Sequence, residues 1–195
     1  MKRFLPYTAL VLVVTEILLV LGSWLYSAAS PMSGVRSLLS GEGVRWLLGH
    51  FAESMATPLL VWLLMLSMAW GCLRHCGILT TSHRGYRERR ALLLAILLAL
   101  VLVAIMALLA LLPHAVLLSA TGRLWPSPFS ASLVPVGALS VVLVCAVYGI
   151  VAGRFQELSD LYHSLLSGIR SGAPWFLFYI LLTQIYESLQ FVLPR

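Results

Sequence analysis

The chain has 195 residues and a net charge of +6, and it is 61% apolar but only 10% charged. Soluble globular domains carry about 25% charged residues, so this composition excludes that class and implies a membrane protein. The basic residues stand at the ends of apolar runs, not on a polar stripe interleaved with aromatic residues, which argues against a nucleic-acid partner.

The stretch from Ala91 to Pro113 contains no charge and exceeds the roughly 20 apolar residues that an α-helix needs to cross a hydrocarbon core about 30 Å thick. The apolar runs are continuous in Leu, Val and Ala, whereas outer-membrane barrels read as short alternating segments, so the expected fold class is all-α. In chain order the sequence predicts membrane-spanning helices over about 5–29, 54–76, 91–113, 132–152 and 173–193, in one compact membrane domain. Met1-Lys2-Arg3 resembles the start of a signal peptide. The apolar run that follows reaches about Ala29, beyond the roughly 7 to 15 residues of a signal h-region, and reads as a retained first helix.

On that first helix Glu16 is the most informative charge. It lies about 16 Å along from Leu5 at roughly 1.5 Å per residue, near the bilayer midplane. A carboxylate there costs on the order of 3 kcal/mol unless it is paired, hydrated or protonated. Thr8, Thr15 and Gly22 recur every seven residues with Glu16 and Ser23 beside them, a small-and-polar stripe of the kind that lets helices approach closely. Glu16 is therefore expected to face protein, with Gln184, Thr183 or a residue of another subunit as its partner. Glu187, in the outer third of the last span beside Thr183 and Gln184, is the second intramembrane candidate.

Between the first two spans Val44, Leu47, Leu48 and Phe51 recur at i, i+3, i+4 and i+7, which predicts an amphipathic helix within about 35–51 along the outer interface. Gly41 and Gly43 interrupt that segment. A second amphipathic helix is expected over about 155–171 on the inner surface, with Phe155, Leu158, Leu161, Tyr162, Leu165, Leu166 and Ile169 on its apolar face. Gly172-Ala173-Pro174 then punctuates the turn into the last span.

With the N-terminus inside, the inner loops hold nine basic residues and the outer loops four, Arg36, Arg45, Arg123 and Arg195. That asymmetry predicts a cytoplasmic N-terminus and a periplasmic C-terminus. The inner loop at residues 82–90 carries Arg84, Arg87, Arg89 and Arg90 against Glu88. It orients the chain, attracts anionic headgroups, and is a candidate docking patch for a protein partner.

Cys72, Cys76 and Cys145 are odd in number and sit in or beside apolar runs, so a disulfide framework is not expected. Cys72 and Cys76 share one helix face next to His75, yet no fourth metal ligand is evident and buried small residues account for them. His50, His83, His114 and His163 lie near predicted interfaces, with no catalytic or metal-binding spacing among them. No catalytic residue, metal or cofactor is expected.

Three blocks resemble the aminobenzoyl-glutamate transporter (AbgT) family. The first is Val35 to Trp46. The second is Gly122-Arg123-Leu124-Trp125-Pro126-Ser127-Pro128-Phe129, continuing through Ser132-Leu133-Val134-Pro135 to Val147-Tyr148-Gly149-Ile150-Val151-Ala152-Gly153. The third is the amphipathic helix after it with Ala173-Pro174-Trp175 onward to Gln184. The resemblance implies the scaffold part of an elevator-type transporter. It also implies an omission: the family's proteins are longer, and a helical hairpin with further spans separates the second helix from the Glu-Arg-Arg start of the next one. Here Gly77-Ile78-Leu79 leads directly through Thr80 to Arg90. The second hairpin and the helices after Gln184 are not found either. In the family these regions bind substrate and sodium at helix breaks marked by Ser-Asn or Ser-Ala. This sequence has no Asn, Asp160 is its single Asp, and it lacks the matched pair of interrupted apolar segments that such sites use.

The expected function is a non-enzymatic scaffold or accessory subunit of a bacterial inner-membrane complex, associating with other subunits or a second copy and with anionic lipid. The alternative is part of a secondary transporter for an aminobenzoyl-glutamate-like organic anion, with hairpins supplied by another chain.

Overall fold

Long runs of Leu, Val and Ala with few β-turn residues fold into helices. The computed structural model describes residues 4–30, 34–79, 85–111 and 128–193. Among them are six α-helices and no strand: α1 (Phe4–Ala29), α2 (Gly41–Met55), α3 (Pro58–Cys76), α4 (Tyr86–Leu111), α5 (Pro128–Ala152) and α6 (Leu158–Val192). All but α2 are long and apolar enough to cross a membrane. The chain is thus a polytopic all-α protein, with five such helices among the described residues, as its composition implies.

The helix ends follow local chemistry. Ser40 caps α2, its Oγ accepting the Gly43 N–H at 3.0 Å, and Glu42 stands in the first turn where the helix dipole favours a negative charge. α2 therefore starts at Gly41, not near residue 35, and runs on to Met55. The next helix begins at Pro58 rather than at residue 54, because proline suits the first helical position and its ring disfavours a helical residue before it. α4 begins at Tyr86, five residues before the charge-free run, so Arg87, Arg89 and Arg90 lie on its first turns.

The largest departure from expectation is α6. The separate amphipathic helix at 155–171 and the last span at 173–193 are one continuous helix of 35 residues. Pro174 lies inside it. A proline removes one N–H bond, here to the Arg170 carbonyl, and membrane helices tolerate that loss where neighbouring groups compensate. At about 1.5 Å per residue α6 is roughly 52 Å long, which exceeds a 30 Å hydrocarbon core by several turns. Its polar first turns, with Ser159, Asp160 and His163, make up that surplus. Phe155 is not on the helix at all; it is buried in the α5–α6 connection.

Packing divides the chain into two compact units. Unit 1 comprises residues 1–60 and 173–195, and unit 2 comprises residues 61–172. In unit 2, α4 and α5 pack along each other, around a buried cluster of Cys72, Cys76, Ala91, Ala95, Cys145 and Tyr148. The interior residues are mostly small, while large side chains such as Leu100, Val103 and Leu97 face outward. Lipid tails are as apolar as leucine, so nothing drives leucine inward; small residues gather where helices meet because they permit close contact.

α3 and α6 approach closely in unit 2. A Cβ built on Gly168 would lie 2.9 Å from the Gly71 Cα and closer still to the Ser67 carbonyl, so only glycine fits there. The i, i+4 pairs Ser67/Gly71 and Ser164/Gly168 form the small-xxx-small seam on each side.

Candidate functional site

In unit 1 the helix α1 places Glu16 against the last turns of α6. The hydroxyl of Ser188, a residue with no exposed surface, donates to Glu16 Oε1 at 2.7 Å. Gln184 Nε2 stands 3.5 Å from the same Ser188 Oγ, one helical turn away. Glu16 Oε2 is buried and has no hydrogen-bond partner among the described residues. The sequence points to Gln184, Thr183 or a residue of another subunit as the partner. The structure gives Ser188 instead, with Gln184 one bond removed and Thr183 half-buried on α6.

The remaining members of the α1 stripe separate into two faces. Ser23 is buried, donates to the Val20 carbonyl at 2.8 Å, and accepts the Leu38 N–H at 3.2 Å, which fastens the segment before α2 to α1. Thr8 and Thr15 are exposed and donate to the Leu5 and Val11 carbonyls of their own helix. Gly22 faces open space: a Cβ added there would meet nothing within 4 Å. Glu187 is half-buried and lines a polar cavity with Arg36 and Gln190.

The inner basic patch is partly consumed inside unit 2. Arg87 Nε donates to the Val151 carbonyl at 2.9 Å, one of the last four carbonyls of α5, which lack partners within their own helix. The chain leaves α5 through Gly153 at φ +76, with the Gly149 carbonyl accepting the N–H groups of Arg154 and Phe155 at 2.8 and 3.0 Å. Arg154 in turn forms an ion pair with Glu88 at 3.2 Å. Arg90 stacks its guanidinium on the Tyr86 ring, 4.4 Å from the centroid, and bonds the hydroxyl of that residue. Arg89 is exposed. Arg84, with His83 and His114, lies outside the described residues.

The three thiols come together in the core of unit 2, Cys145 joining the Cys72 and Cys76 pair of α3. Cys72 Sγ faces the Val142 carbonyl at 3.9 Å and Cys76 Sγ the Leu73 carbonyl at 3.3 Å. His75 turns away from them: its Nδ1 lies 2.9 Å from the Gly71 carbonyl and 3.2 Å from Ser167 Oγ, so that nitrogen carries the proton. Among the described residues no three His, Cys, Asp or Glu side chains form a metal-binding group. Also in unit 2, a cavity of about 710 Å³ is lined by Leu102, Met106, Val136, Val141, Val144 and other residues, nearly all apolar.

The sequence did not indicate Ser188, Cys145 or the Arg154–Glu88 pair as site members. Only the i, i+4 spacing of Gln184 and Ser188 on one helix face was available to suggest the first of them.

Helices of spanning length, small residues at their crossings and polar side chains closed onto neighbouring helices define a multi-pass α-helical membrane protein. The family model of the AbgT putative transporter family matches residues 79–191, more than half of the sequence, and the chain belongs to that family. The match covers two of the three resembling blocks and excludes Val35 to Trp46. No curated protein and no solved structure matches the chain.

Proposed function

We propose that this chain is a non-enzymatic scaffold or accessory subunit of a complex in the bacterial inner membrane, built on an AbgT-type transporter framework. The observation that carries this reading is the character of the large cavity in unit 2. It is lined almost entirely by carbon, with Ser140 the polar exception, whereas a charged substrate or sodium ion needs oxygen ligands and fixed dipoles near the midplane. The short link between α3 and α4, residues 77–85, supports it too, because the resemblance places a substrate-binding hairpin there. On this reading the exposed α1 face with Thr8, Thr15 and Gly22 meets another subunit or a second copy. Arg84, Arg87, Arg89 and Arg90 attract anionic headgroups at the inner surface. The nine-to-four distribution of basic residues supports a cytoplasmic N-terminus and a periplasmic C-terminus.

Family membership favours the second reading, part of a secondary transporter for an aminobenzoyl-glutamate-like organic anion whose hairpins another chain supplies. Purification of the tagged chain in mild detergent, followed by mass spectrometry, separates the two. A stoichiometric membrane partner without transporter hairpins supports the scaffold. A partner carrying two such hairpins supports the transporter.

A further inference from the structure

Unit 1 contains a second cavity, of about 400 Å³, within the common range for small-ligand pockets. Its walls are Arg36 from the segment before α2, Trp46 of α2, and Glu187, Gln190 and Phe191 from the last turns of α6. The Arg36 N–H donates to the Val192 carbonyl at 3.3 Å, which holds the segment against the helix end. Trp46 and Phe191 stack with ring centroids 4.7 Å apart. The cavity therefore lies at the terminus of a membrane-spanning helix, beside an amphipathic helix and an aromatic pair. Aromatic rings of this kind gather at the membrane–water boundary, the depth of lipid headgroups.

Two opposite charges face this space without neutralising one another. The Arg36 guanidinium stands 5.9 Å from the Phe191 ring centroid. Ion pairs among the described residues are His50 with Glu53 and Arg154 with Glu88, so neither Arg36 nor Glu187 belongs to one. A guanidinium and a carboxylate that line one polar cavity without forming an ion pair are complementary to a ligand that carries both an anion and a cation.

We propose that this cavity binds the headgroup of phosphatidylethanolamine, with the phosphate on Arg36 and the primary ammonium on Glu187. The guanidinium presents paired N–H donors to phosphate oxygens, and an ammonium offers three donors that the Glu187 carboxylate and the Gln190 amide oxygen accept. Phosphatidylglycerol has no cation for Glu187 and meets it as a like charge. A quaternary choline has no N–H to donate. The same chemistry exists in soluble glycerophosphoethanolamine, but the position at a helix end in the headgroup layer selects the lipid.

The test uses the full chain in nanodiscs of equal parts phosphatidylethanolamine and phosphatidylglycerol, with retained lipid measured by native mass spectrometry after gentle detergent release. The wild type retains phosphatidylethanolamine in excess of phosphatidylglycerol. Glu187→Gln lowers that ratio by about 1.4- to fivefold, the range for a solvent-exposed charge contact, and Arg36→Gln lowers retention of both lipids. Circular dichroism confirms that both variants remain helical, and Arg45→Gln, away from the cavity walls, serves as the charge-matched control with wild-type retention. A wild-type ratio equal to that of the membrane, or a ratio that neither variant changes, overturns the proposal. Calorimetry with glycerophosphoethanolamine distinguishes the source: binding of the soluble compound in the absence of retained lipid overturns the lipid assignment.

Discussion

The two units hold their helices together by different means. Unit 1 uses side-chain hydrogen bonds between segments: Ser188 to Glu16, Ser23 to the Leu38 N–H, and the Tyr179 hydroxyl to the Met55 carbonyl at 3.1 Å with Thr57 alongside. Unit 2 also has such bonds, Arg87 to the Val151 carbonyl and Arg154 to Glu88, but at its α3–α6 crossing it uses proximity. Its Ser67 and Ser164 hydroxyls turn back to the Leu64 and Leu161 carbonyls of their own helices at 2.7 Å, and Gly71 and Gly168 bring the two backbones into contact. Lipid gives no hydrophobic drive to either arrangement, so one relies on hydrogen bonds in a water-poor setting and the other on dispersion over a close-packed seam. The difference teaches where each unit is vulnerable. Removing a polar group costs one bond, whereas adding one carbon at the glycine seam separates two helices.

The largest effect is expected at that seam. Gly71→Leu places side-chain carbon against the Gly168 and Ser164 backbone, and overpacking of this kind costs about 1–3 kcal/mol or more. Thermal unfolding in detergent should show a clear drop in midpoint, whereas Gly22→Leu, which enters open space, should remain within about 0.5 kcal/mol of the wild type. Equal effects at the two glycines would break the comparison.

Next in size is the α1–α6 bond. Glu16→Leu should cost about 0.5 to 2 kcal/mol, the usual range for interhelical hydrogen bonds in membranes, and Glu16→Gln should cost less because its amide oxygen still accepts from Ser188. Urea titration of the two variants in mixed micelles reads this order. If Glu16→Leu lowers subunit association without lowering monomer stability, the carboxyl acts between chains and not within one.

Arg87→Gln should cost about 0.5–1.5 kcal/mol through loss of its bond to the Val151 carbonyl. Arg89→Gln, on an exposed side chain, should be close to neutral in stability. Both remove one positive charge, so both should lower retention of phosphatidylglycerol by the detergent-released chain similarly, and native mass spectrometry separates that shared effect from the structural one. The smallest effect is expected for Thr15→Val, whose hydroxyl bonds only its own helix. A change beyond about 0.5 kcal/mol in monomer stability would contradict the exposure of that face.

The parts of the fold legible in the sequence were those set by composition over long windows. α1 and α4 are visible because few or no charges interrupt their apolar runs, which is also why the all-α class follows directly. Helix continuity across Pro174 was not legible, because Gly172-Ala173-Pro174 is also the signature of a break, and neighbouring packing decides between the two. The apolar residues read as an interfacial face at 155–171 instead contribute Leu161 and Leu165 to packing against the unit 2 cluster, and Phe155 covers Gly149. For the candidate site, the sequence marks Glu16 as a charge within an apolar run but does not fix its partner. Choosing Ser188 over Gln184 requires the axial register of α1 against α6, which no local pattern encodes. Arg87 likewise looked like a surface charge because its acceptor, the Val151 carbonyl, lies 64 positions away in the chain.

The most direct test of the scaffold reading is uptake by the purified full chain in proteoliposomes under an inward sodium gradient, with radiolabelled 4-aminobenzoyl-glutamate outside. Accumulation should be no greater than in protein-free vesicles, with or without sodium. Saturable, sodium-dependent accumulation by this chain alone would contradict that reading.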